Sequence, residues 1–217
     1  MPFYVLKMGG SLMASARPLM RALLALGEDG YSFLVVPGGG PMADLVREIY
    51  SRGDLSQEAA HWMAILAMEQ YGHFLADATG AKLTREIRRP EEGSTLQVLL
   101  PYQALCRDDS GIEHNWDFTS DSVAALAAWM LRAPLIKATN VDGVILDGKT
   151  AAEVQACDLL GRDSCIDQGT IRLLCGRLKD SSVWVLNGTD AQRFVDSLKR
   201  REGGTIIKGQ WRQKAID

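Results

Sequence analysis

Short apolar segments rich in β-branched and aromatic residues recur along the chain, and stretches with helical periodicity separate them. Six such segments predict strands, at residues 3–7, 33–36, 96–100, 135–139, 183–187 and 205–208. Strands that alternate with helices in this way are typical of parallel βαβ units. The pattern therefore predicts an α/β protein whose sheet is mostly parallel.

Three helices are expected from apolar residues that repeat every three or four positions. The first begins at Pro41, because proline suits the first helical position, where its missing N–H is not needed. The longest covers residues 58–78 and has one apolar side. The third begins within residues 117–122, where Asp117 or Thr119 is the expected N-cap.

Two of the predicted strands end in glycine-rich turns, with the sequences KMGGS and VVPGGGP. The glycines of these turns are Gly9, Gly10, Gly38, Gly39 and Gly40. Without a Cβ their backbone N–H groups can approach a phosphate closely, and Lys7 beside the first turn would add a point charge. Because ligands of parallel α/β sheets bind at the carboxyl ends of the strands, the turns predict one polyphosphate crevice. The alternative is that both are only tight turns and that Lys7 is solvated.

Other polar and aromatic residues lie at the starts of the predicted helices, and each has a structural alternative. His61 and Trp62 occupy the first turns of the long helix, where they either face the crevice or pack in the core. Asp121 lies in the first turn of the third helix. There its carboxylate either complements the helix dipole or holds Lys7 at the correct angle for phosphate binding.

The strand at residues 135–139 ends in polar turn residues at the edge where ligands are expected. The residues at this edge are Thr139, Asn140, Val141, Asp142 and Gly143. Their side chains and backbone groups are candidates to bind a base or a ribose. The alternative is a plain Asp-Gly turn, which this dipeptide favours in any context.

Composition narrows the class of protein. The chain has 217 residues, a net charge of −3 and 47% hydrophobic residues, which predicts one folded domain over residues 1–217 and neither nucleic acid nor a membrane as a partner. It shows no secretory leader and no apolar run long enough to span a bilayer, so a soluble cytoplasmic protein is expected. The four cysteines form no CxxC pair and the three histidines no ligand spacing, so we expect reduced thiols and no metal bound by the chain itself.

Taken together and in order, these segments resemble the amino acid kinase superfamily. The likeness spans nearly the whole chain, at residues 7–11, 37–41, 117–121, 138–144, 186–188 and 204–207. The resemblance implies a three-layer αβα sandwich of the carbamate kinase-like type, with an open and mostly parallel sheet. It also implies transfer of the γ-phosphoryl group of ATP to a small acid or phosphate, and at least a dimer.

The resemblance further implies roles for the motif residues. Lys7 would hold the transferring phosphoryl group with the N–H groups of Gly9 and Gly10, and Asp121 would orient Lys7. Gly38, Gly39 and Gly40 would line the acceptor side in the N-terminal part, and residues 139–143 would border ATP in the C-terminal part. Mg²⁺ would be held mainly by ATP oxygens and waters. Several relatives have a second phosphate-binding lysine late in the chain, where this sequence offers Arg172 as a substitute.

Three longer phrases resemble one subgroup of this superfamily, the kinases of methanofuran biosynthesis. These phrases are VVPGGGPMADLVREIY, AHWMAILAMEQYGHFLAD and WDFTSDSVAA. The subgroup implies a phosphate acceptor, (aminomethyl)furanmethanol phosphate. Candidates to receive the amine end of that molecule are His61, Trp62, Trp116 and Asp117. The alternatives are a kinase of another small acid or of a nucleoside monophosphate such as uridylate, and a nucleotide-binding regulator without catalysis.

Overall fold

The structure, a computed structural model, describes residues 2–77, 79–91 and 93–209. The strands are β1 (Phe3–Met8), β2 (Ser32–Pro37), β3 (Lys82–Thr84), β4 (Leu96–Leu99), β5 (Leu135–Thr139), β6 (Ile145–Leu146), β7 (Lys149–Thr150), β8 (Glu153–Gln155), β9 (Ser182–Asn187) and β10 (Thr205–Lys208). The α-helices are α1 (Ala16–Ala25), α2 (Gly40–Ser51), α3 (Gln57–Asp77), α4 (Tyr102–Arg107), α5 (Ser120–Met130), α6 (Gln168–Cys175) and α7 (Ala191–Arg200). Short 3₁₀ helices lie at Gly10–Leu12 and Ala156–Leu159.

Eight strands form one sheet in the order β3-β4-β2-β1-β5-β9-β10-β8, and β6 pairs with β7 in a separate hairpin. Within the large sheet β9 and β10 pair antiparallel, and the other neighbours are parallel. This confirms the prediction of a mostly parallel sheet. Because β1 is flanked by β2 and β5, the carboxyl ends of these three strands lie side by side, and this edge carries the site described below.

Helices cover both faces of the sheet, which confirms the predicted three-layer sandwich. Alternate residues of a strand point to opposite faces, so Val5 of β1 joins the apolar cluster under α5 and α6, whereas Leu6 joins the cluster under α1 and α7. The first cluster includes Val123 of α5, and the second includes Leu19 of α1 and Phe194 of α7.

All six predicted strands are present, and their ends differ from the predicted bounds by at most one residue. The pattern missed β3, β6, β7 and β8, because segments of two or three residues are too short to show a period of two. The predicted long helix is α3, and residue 78 at its predicted end lies outside the described residues. The N-cap of α5 is Thr119, one of the two residues expected there.

The cysteines depart from the sequence-based expectation. Cys157 and Cys175 form a disulfide, with their Cα atoms 5.6 Å apart, so the expectation of four reduced thiols is wrong for this pair. The 3₁₀ helix Ala156–Leu159 packs against α6, which brings together two residues that lie 18 positions apart in the sequence. Linear spacing does not reveal such a packing contact. Cys106 and Cys165 carry free thiols.

Two predictions concern the chain as a whole. In the part of the chain that the structure describes, no helix combines the length and the apolar character needed to cross a bilayer. The assignment of residues 1–217 to one domain stays a prediction.

Candidate active site

The two glycine-rich turns lie in direct contact. Met8 of β1 lies opposite Pro37 of the parallel strand β2, so both turns leave the sheet at the same edge. The N–H of Gly38 donates to the carbonyl oxygen of Met8 at 2.8 Å. A Cβ on Gly10 would lie 2.5 Å from the backbone nitrogen of Gly40, and one on Gly38 would lie 2.7 Å from that of Gly10. Side chains at these positions would push the turns apart, so the glycines allow the two backbones to meet.

Beside these turns two lysines share one carboxylate, and we call Lys7, Asp121 and Lys137 the buried charge cluster. Lys7 of β1 and Lys137 of β5 are register partners on adjacent parallel strands, so their side chains leave the same face of the sheet. Lys7 Nζ lies 2.9 Å from Asp121 Oδ1, and Lys137 Nζ donates to Asp121 Oδ2. The side chain of Lys7 is 9% exposed, and those of Asp121 and Lys137 are each 7% exposed.

The electrostatics of this cluster favour an anion. Burial would raise the pKa of Asp121, but the charges and hydrogen bonds of Lys137 and Lys7 outweigh it and hold this pKa below its ordinary value. Burial is the largest influence on Lys7 and lowers its pKa, although Asp121 opposes the effect. With one carboxylate for two ammonium groups, the cluster has an excess of positive charge, which is costly to bury without a further anion. Phosphate oxygens have the charge and the acceptor capacity to complete it.

Asp167 joins the N-termini of two helices at the cluster. Its carboxylate caps α6 by accepting from the N–H of Thr170 at 2.6 Å. It also accepts from the backbone N–H groups of Thr119 and Ser122 at 2.8 and 3.2 Å, and from their hydroxyls at 2.7 and 2.9 Å. This explains why Thr119 caps α5 without using its own side chain. Because the N–H of Asp167 donates to Asp121 Oδ2 at 3.1 Å, the double cap also holds the shared carboxylate in place.

A cavity of about 410 Å³, the first cavity, adjoins the glycine turns. Gly39 and Gly40 line it at the start of α2, a helix whose N-terminus has no side-chain cap. Trp116 and Phe118 supply aromatic surface, and polar groups come from Ser11, Asp44, Arg47, Gln57, His61 and Asn115. A volume of this size suits a small organic molecule rather than a macromolecule.

The residues proposed for the acceptor's amine end fall in three different places. His61 and Trp116 line the first cavity. Trp62 lies behind His61, with the ring centroids 5.1 Å apart, and donates its indole N–H to Glu58 at 2.6 Å. Asp117 lines a separate cavity, in contact with a cation of α6 that is described below.

Two more cavities continue from the buried charge cluster toward the other half of the sheet. The second cavity, of about 510 Å³, is lined by Asp121, Lys137 and Asp117. The third, of about 410 Å³, is lined by Val141 and Gly143. Residues 162–165 line both cavities, so the two form one continuous cleft. The cluster therefore lies between a compact cavity on one side and a longer cleft on the other.

Of residues 139–143, which were predicted to border a nucleotide, only some line the cleft. Val141 and Gly143 line the third cavity, and Thr139 is buried at the end of β5. Asp142 instead accepts a hydrogen bond from Asn187 at 3.0 Å and pairs with Arg193 of α7 at 3.0 Å. Asn140 is exposed, and its side-chain oxygen lies 3.5 Å from the Thr139 hydroxyl.

Arg172, considered as a substitute for the second lysine of relatives, points to a different partner. Its guanidinium donates to Asp117 Oδ2 at 2.7 Å, and both side chains are about half exposed, at 46% and 47%. The second buried lysine at the cluster is Lys137, which the sequence reasoning treated only as part of a strand. Its signal was a lysine inside the apolar run Leu135–Thr139. Asp167 had the weaker signal of an acid before a helix.

Comparison with known proteins places the chain in a family. The model of the amino acid kinase family matches residues 2–173. A [5-(aminomethyl)furan-3-yl]methyl phosphate kinase from Methanocaldococcus jannaschii is 31% identical over 204 residues, which cover 90% of this chain and 93% of that protein.

Solved structures share the fold at lower identity. A uridylate kinase from Archaeoglobus fulgidus matches with a TM-score of 0.70 at 22% identity, over 95% of this chain and 100% of that one. A UMP kinase from Bacillus anthracis matches with a TM-score of 0.69 at 15% identity, over 97% and 98%. The chain therefore belongs to the amino acid kinase family and is an ATP-dependent phosphotransferase.

Proposed function

We propose that this kinase transfers the γ-phosphoryl group of ATP to the phosphate of [5-(aminomethyl)furan-3-yl]methyl phosphate, which yields ADP and the corresponding diphosphate. The observation that carries the transfer is the buried charge cluster, whose excess positive charge lies between the first cavity and the cleft. The choice of acceptor is supported by the relative from Methanocaldococcus jannaschii, which is 31% identical to nearly the full chain.

In this proposal an oxygen of the acceptor phosphate attacks the γ-phosphorus of ATP, and the bond from that phosphorus to the β–γ bridging oxygen breaks. The attacking oxygen is already an anion, so no general base is required. Lys7 and Lys137 hold the oxygens of the transferring group, and Asp121 fixes both ammonium groups. Transfer of this kind depends mainly on alignment and on stabilisation of charge, which rigidly held donors provide.

The glycine turns bring the two anionic substrates together. Gly9 and Gly10 are proposed to bind ATP phosphates through their backbone N–H groups, and Gly38, Gly39 and Gly40 to bind the acceptor phosphate. The close contact between Gly10 and Gly40 supports this arrangement, because both substrates would then meet at the cluster. Mg²⁺ bound to the ATP oxygens would neutralise part of their charge.

The nucleotide is proposed to lie in the cleft formed by the second and third cavities. Its phosphates would reach Lys137 in the second cavity, and its base would pack near Val141 and Gly143 in the third. Thr139 and Asn140 would border the ribose. Asp142 would act indirectly, because its contacts with Asn187 and Arg193 hold the turn in place.

The first cavity suits the furan end of the acceptor in shape and polarity. Trp116 and Phe118 offer flat apolar surface for a planar ring, and His61 lies in the same lining. Because Asp117 pairs with Arg172 outside this cavity, we assign the amine to Asp44, which lines it. Asp44 pairs with Arg47 at 3.0 Å, but both side chains are largely exposed, so an ammonium group can share the carboxylate.

A uridylate kinase is the second candidate, because the two solved structures with the same fold are kinases of UMP. At 22% and 15% identity these likenesses concern the fold alone. A catalytically silent regulator would be favoured if Arg172 left the site without a second lysine, but Lys137 supplies a second lysine at the cluster.

The deciding experiment measures ADP release from ATP with a panel of acceptors. The panel contains the furan phosphate, UMP, aspartate and glutamate, and mass spectrometry identifies each product. We expect turnover of the furan phosphate to exceed that of the other acceptors by at least about a hundredfold, because a polar site rejects ligands that leave its groups unpaired. Efficient turnover of UMP without turnover of the furan phosphate would refute the proposed acceptor.

A further inference from the structure

One wall of the first cavity is a segment without helix or strand, residues 108–119, which we call the wall segment. It contributes Asn115, Trp116, Phe118 and Thr119 to the lining, whereas α3 contributes Gln57 and His61 on the opposite side. At its end the wall segment is anchored to α6, because the N–H of Gly169 donates to the carbonyl oxygen of Asp117 at 2.6 Å. The wall segment and α3 meet at His114, whose carbonyl oxygen accepts from Gln57 at 2.7 Å, so this contact shapes one end of the lining.

His114 of the wall segment lies at the junction with α3. Its Nδ1 lies 2.6 Å from the carboxylate of Glu58 on α3, and its Nε2 lies 3.0 Å from the carboxylate of Asp109. A carboxylate accepts hydrogen bonds and does not donate them when ionised, so each ring nitrogen must carry a proton. Both hydrogen bonds form together with ionised acids only when His114 is an imidazolium.

The same ring supports a residue of the cavity lining. The His114 ring stacks on His61, with centroids 3.9 Å apart and planes 10° apart, and the edge of Trp62 packs on both. His61 is 8% exposed, and its Nε2 has no hydrogen-bond partner among the described residues. Displacement of His114 would remove the support behind His61.

We propose that His114 is a positioning residue that clamps the wall segment to α3 and thereby fixes the shape of the acceptor cavity. The inference rests on the proposed function for its kinetic consequence, since it assumes that the acceptor binds in the first cavity. The charged and titratable groups that face the clamp are Glu58 and His61 on α3 and Asp109 on the wall segment.

The protonation states support the clamp. Burial lowers the pKa of His114, but the hydrogen bonds and charges of Glu58 and Asp109 outweigh this effect and raise the pKa above its ordinary value. Burial, and then the charge of His114, lower the pKa of His61 to about 4, so His61 is neutral at neutral pH. A raised pKa means that the clamp is intact below the ordinary histidine pKa and is lost as the pH rises through the pKa of the folded protein.

The first test replaces His114→Gln, whose neutral amide can donate to only one of the two acids. The variant keeps the backbone carbonyl that accepts from Gln57 at 2.7 Å. We expect the acceptor KM to rise about tenfold, with kcat and the KM for ATP within about twofold, because the lost contacts are charged hydrogen bonds remote from the reacting atoms. His73→Gln, which changes an exposed histidine of α3, is the matched control and should change nothing.

Two measurements do not depend on any acceptor. Nitrogen-15 NMR of labelled histidines should show that His114 titrates above the ordinary histidine pKa, and Glu58→Gln should move its titration to lower pH. Hydrogen–deuterium exchange in residues 108–119 should be faster in His114→Gln than in His73→Gln. A His114 that titrates at or below the ordinary histidine pKa, or unchanged exchange in the variant, overturns the clamp whichever acceptor is used. If only the proposed function is wrong, the furan phosphate will not be turned over. The NMR and exchange results will still be as expected.

With a working acceptor, the pH profile completes the test. The kcat/KM for the acceptor should fall as the pH rises through the pKa of His114, whereas His114→Gln should lack this step and show the lower value throughout. An acceptor KM equal to that of the wild type in a folded His114→Gln protein would overturn the proposal.

Discussion

The buried charge cluster and the first cavity lie next to each other but are built in opposite ways. Lys7 and Lys137 belong to adjacent central strands, and Asp121 is held by Asp167, which caps two helices. The cluster is therefore fixed by the sheet and by these caps. The cavity is enclosed by α2, α3 and the wall segment, and the Asp44 and Arg47 side chains of its lining are largely exposed. The transfer chemistry that we propose thus lies on elements of the central sheet, whereas the cavity that we propose for the acceptor is partly lined by side chains that can change without disturbing the core.

This contrast predicts that the largest effects come from the lysines. Lys7→Ala and Lys137→Ala should each lower kcat by about a thousandfold, because each removes a preorganised donor to the transferring phosphoryl group. The acceptor KM should change much less. Single-turnover kinetics with saturating ATP measure the loss.

A control separates this effect from the loss of any strand lysine. Lys208 of β10 also pairs with a carboxylate, Glu153 at 2.6 Å, but its side chain is 46% exposed. Lys208→Ala should retain wild-type kcat. If Lys137→Ala kept full activity in a folded protein, Lys137 would have no catalytic role and Lys7 would be the single catalytic lysine of the cluster.

Two aspartates of the cluster region should respond differently to the same change. Asp121→Asn removes the charge shared by both lysines, so we expect kcat to fall by about a hundredfold or more. The wild type should lose activity as the pH rises through the lowered pKa of Lys7. In Asp121→Asn this loss should begin at lower pH, because the carboxylate that favours the charged lysine is gone.

Asp167→Asn, in contrast, should act mainly on stability. The amide retains one acceptor oxygen but turns an NH₂ group toward backbone and hydroxyl donors, which costs about 2–3 kcal/mol. For a chain of this size, that corresponds to a fall in Tm of roughly 5–10 °C, measurable by calorimetry. If Asp121→Asn lowered Tm and left kcat unchanged, Asp121 would be a structural residue. The expected difference between Asp121 and Asp167 would then be absent.

The two regions also differ in how far the sequence predicted them. Lys7, Gly38 and Asp121 lie in short contiguous motifs, and the six longer strands showed a clear apolar pattern. Lys137 was missed because its place in the cluster depends on the register between β5 and β1, which pairs residues 130 positions apart. Parallel pairing of this kind leaves no trace in local periodicity.

The acceptor side was harder to predict for a related reason. Trp62 is next to His61 in the sequence, but on a helix adjacent residues point in different directions, and the structure places only His61 in the cavity lining. Asp117 is a candidate from the sequence because an acidic group suits an amine, and its pairing with Arg172 of α6 is a contact between distant segments. Asp44 and Asn115 were missed because a polar residue on a helix surface or in a loop has no distinctive pattern.

The smallest expected effect tests the exposed part of the acceptor side. Asp44→Asn should raise the KM for the furan phosphate by up to about fivefold and leave kcat unchanged, because an exposed carboxylate contributes at most about 1 kcal/mol to an ion pair. The effect should weaken in high salt, since exposed charges are screened. Steady-state kinetics at two ionic strengths measure both.

Asp29→Asn is the matched control for this prediction, because Asp29 also forms an exposed ion pair, with Lys199 at 2.7 Å, and lines none of the three cavities. It should have the wild-type KM. An acceptor analogue without the amine should bind Asp44→Asn and the wild type equally well, because it has no ammonium group to pair with the carboxylate. If the analogue lost the same affinity in Asp44→Asn, the carboxylate would act through Arg47 rather than through the amine, and the first cavity would recognise the phosphate end alone.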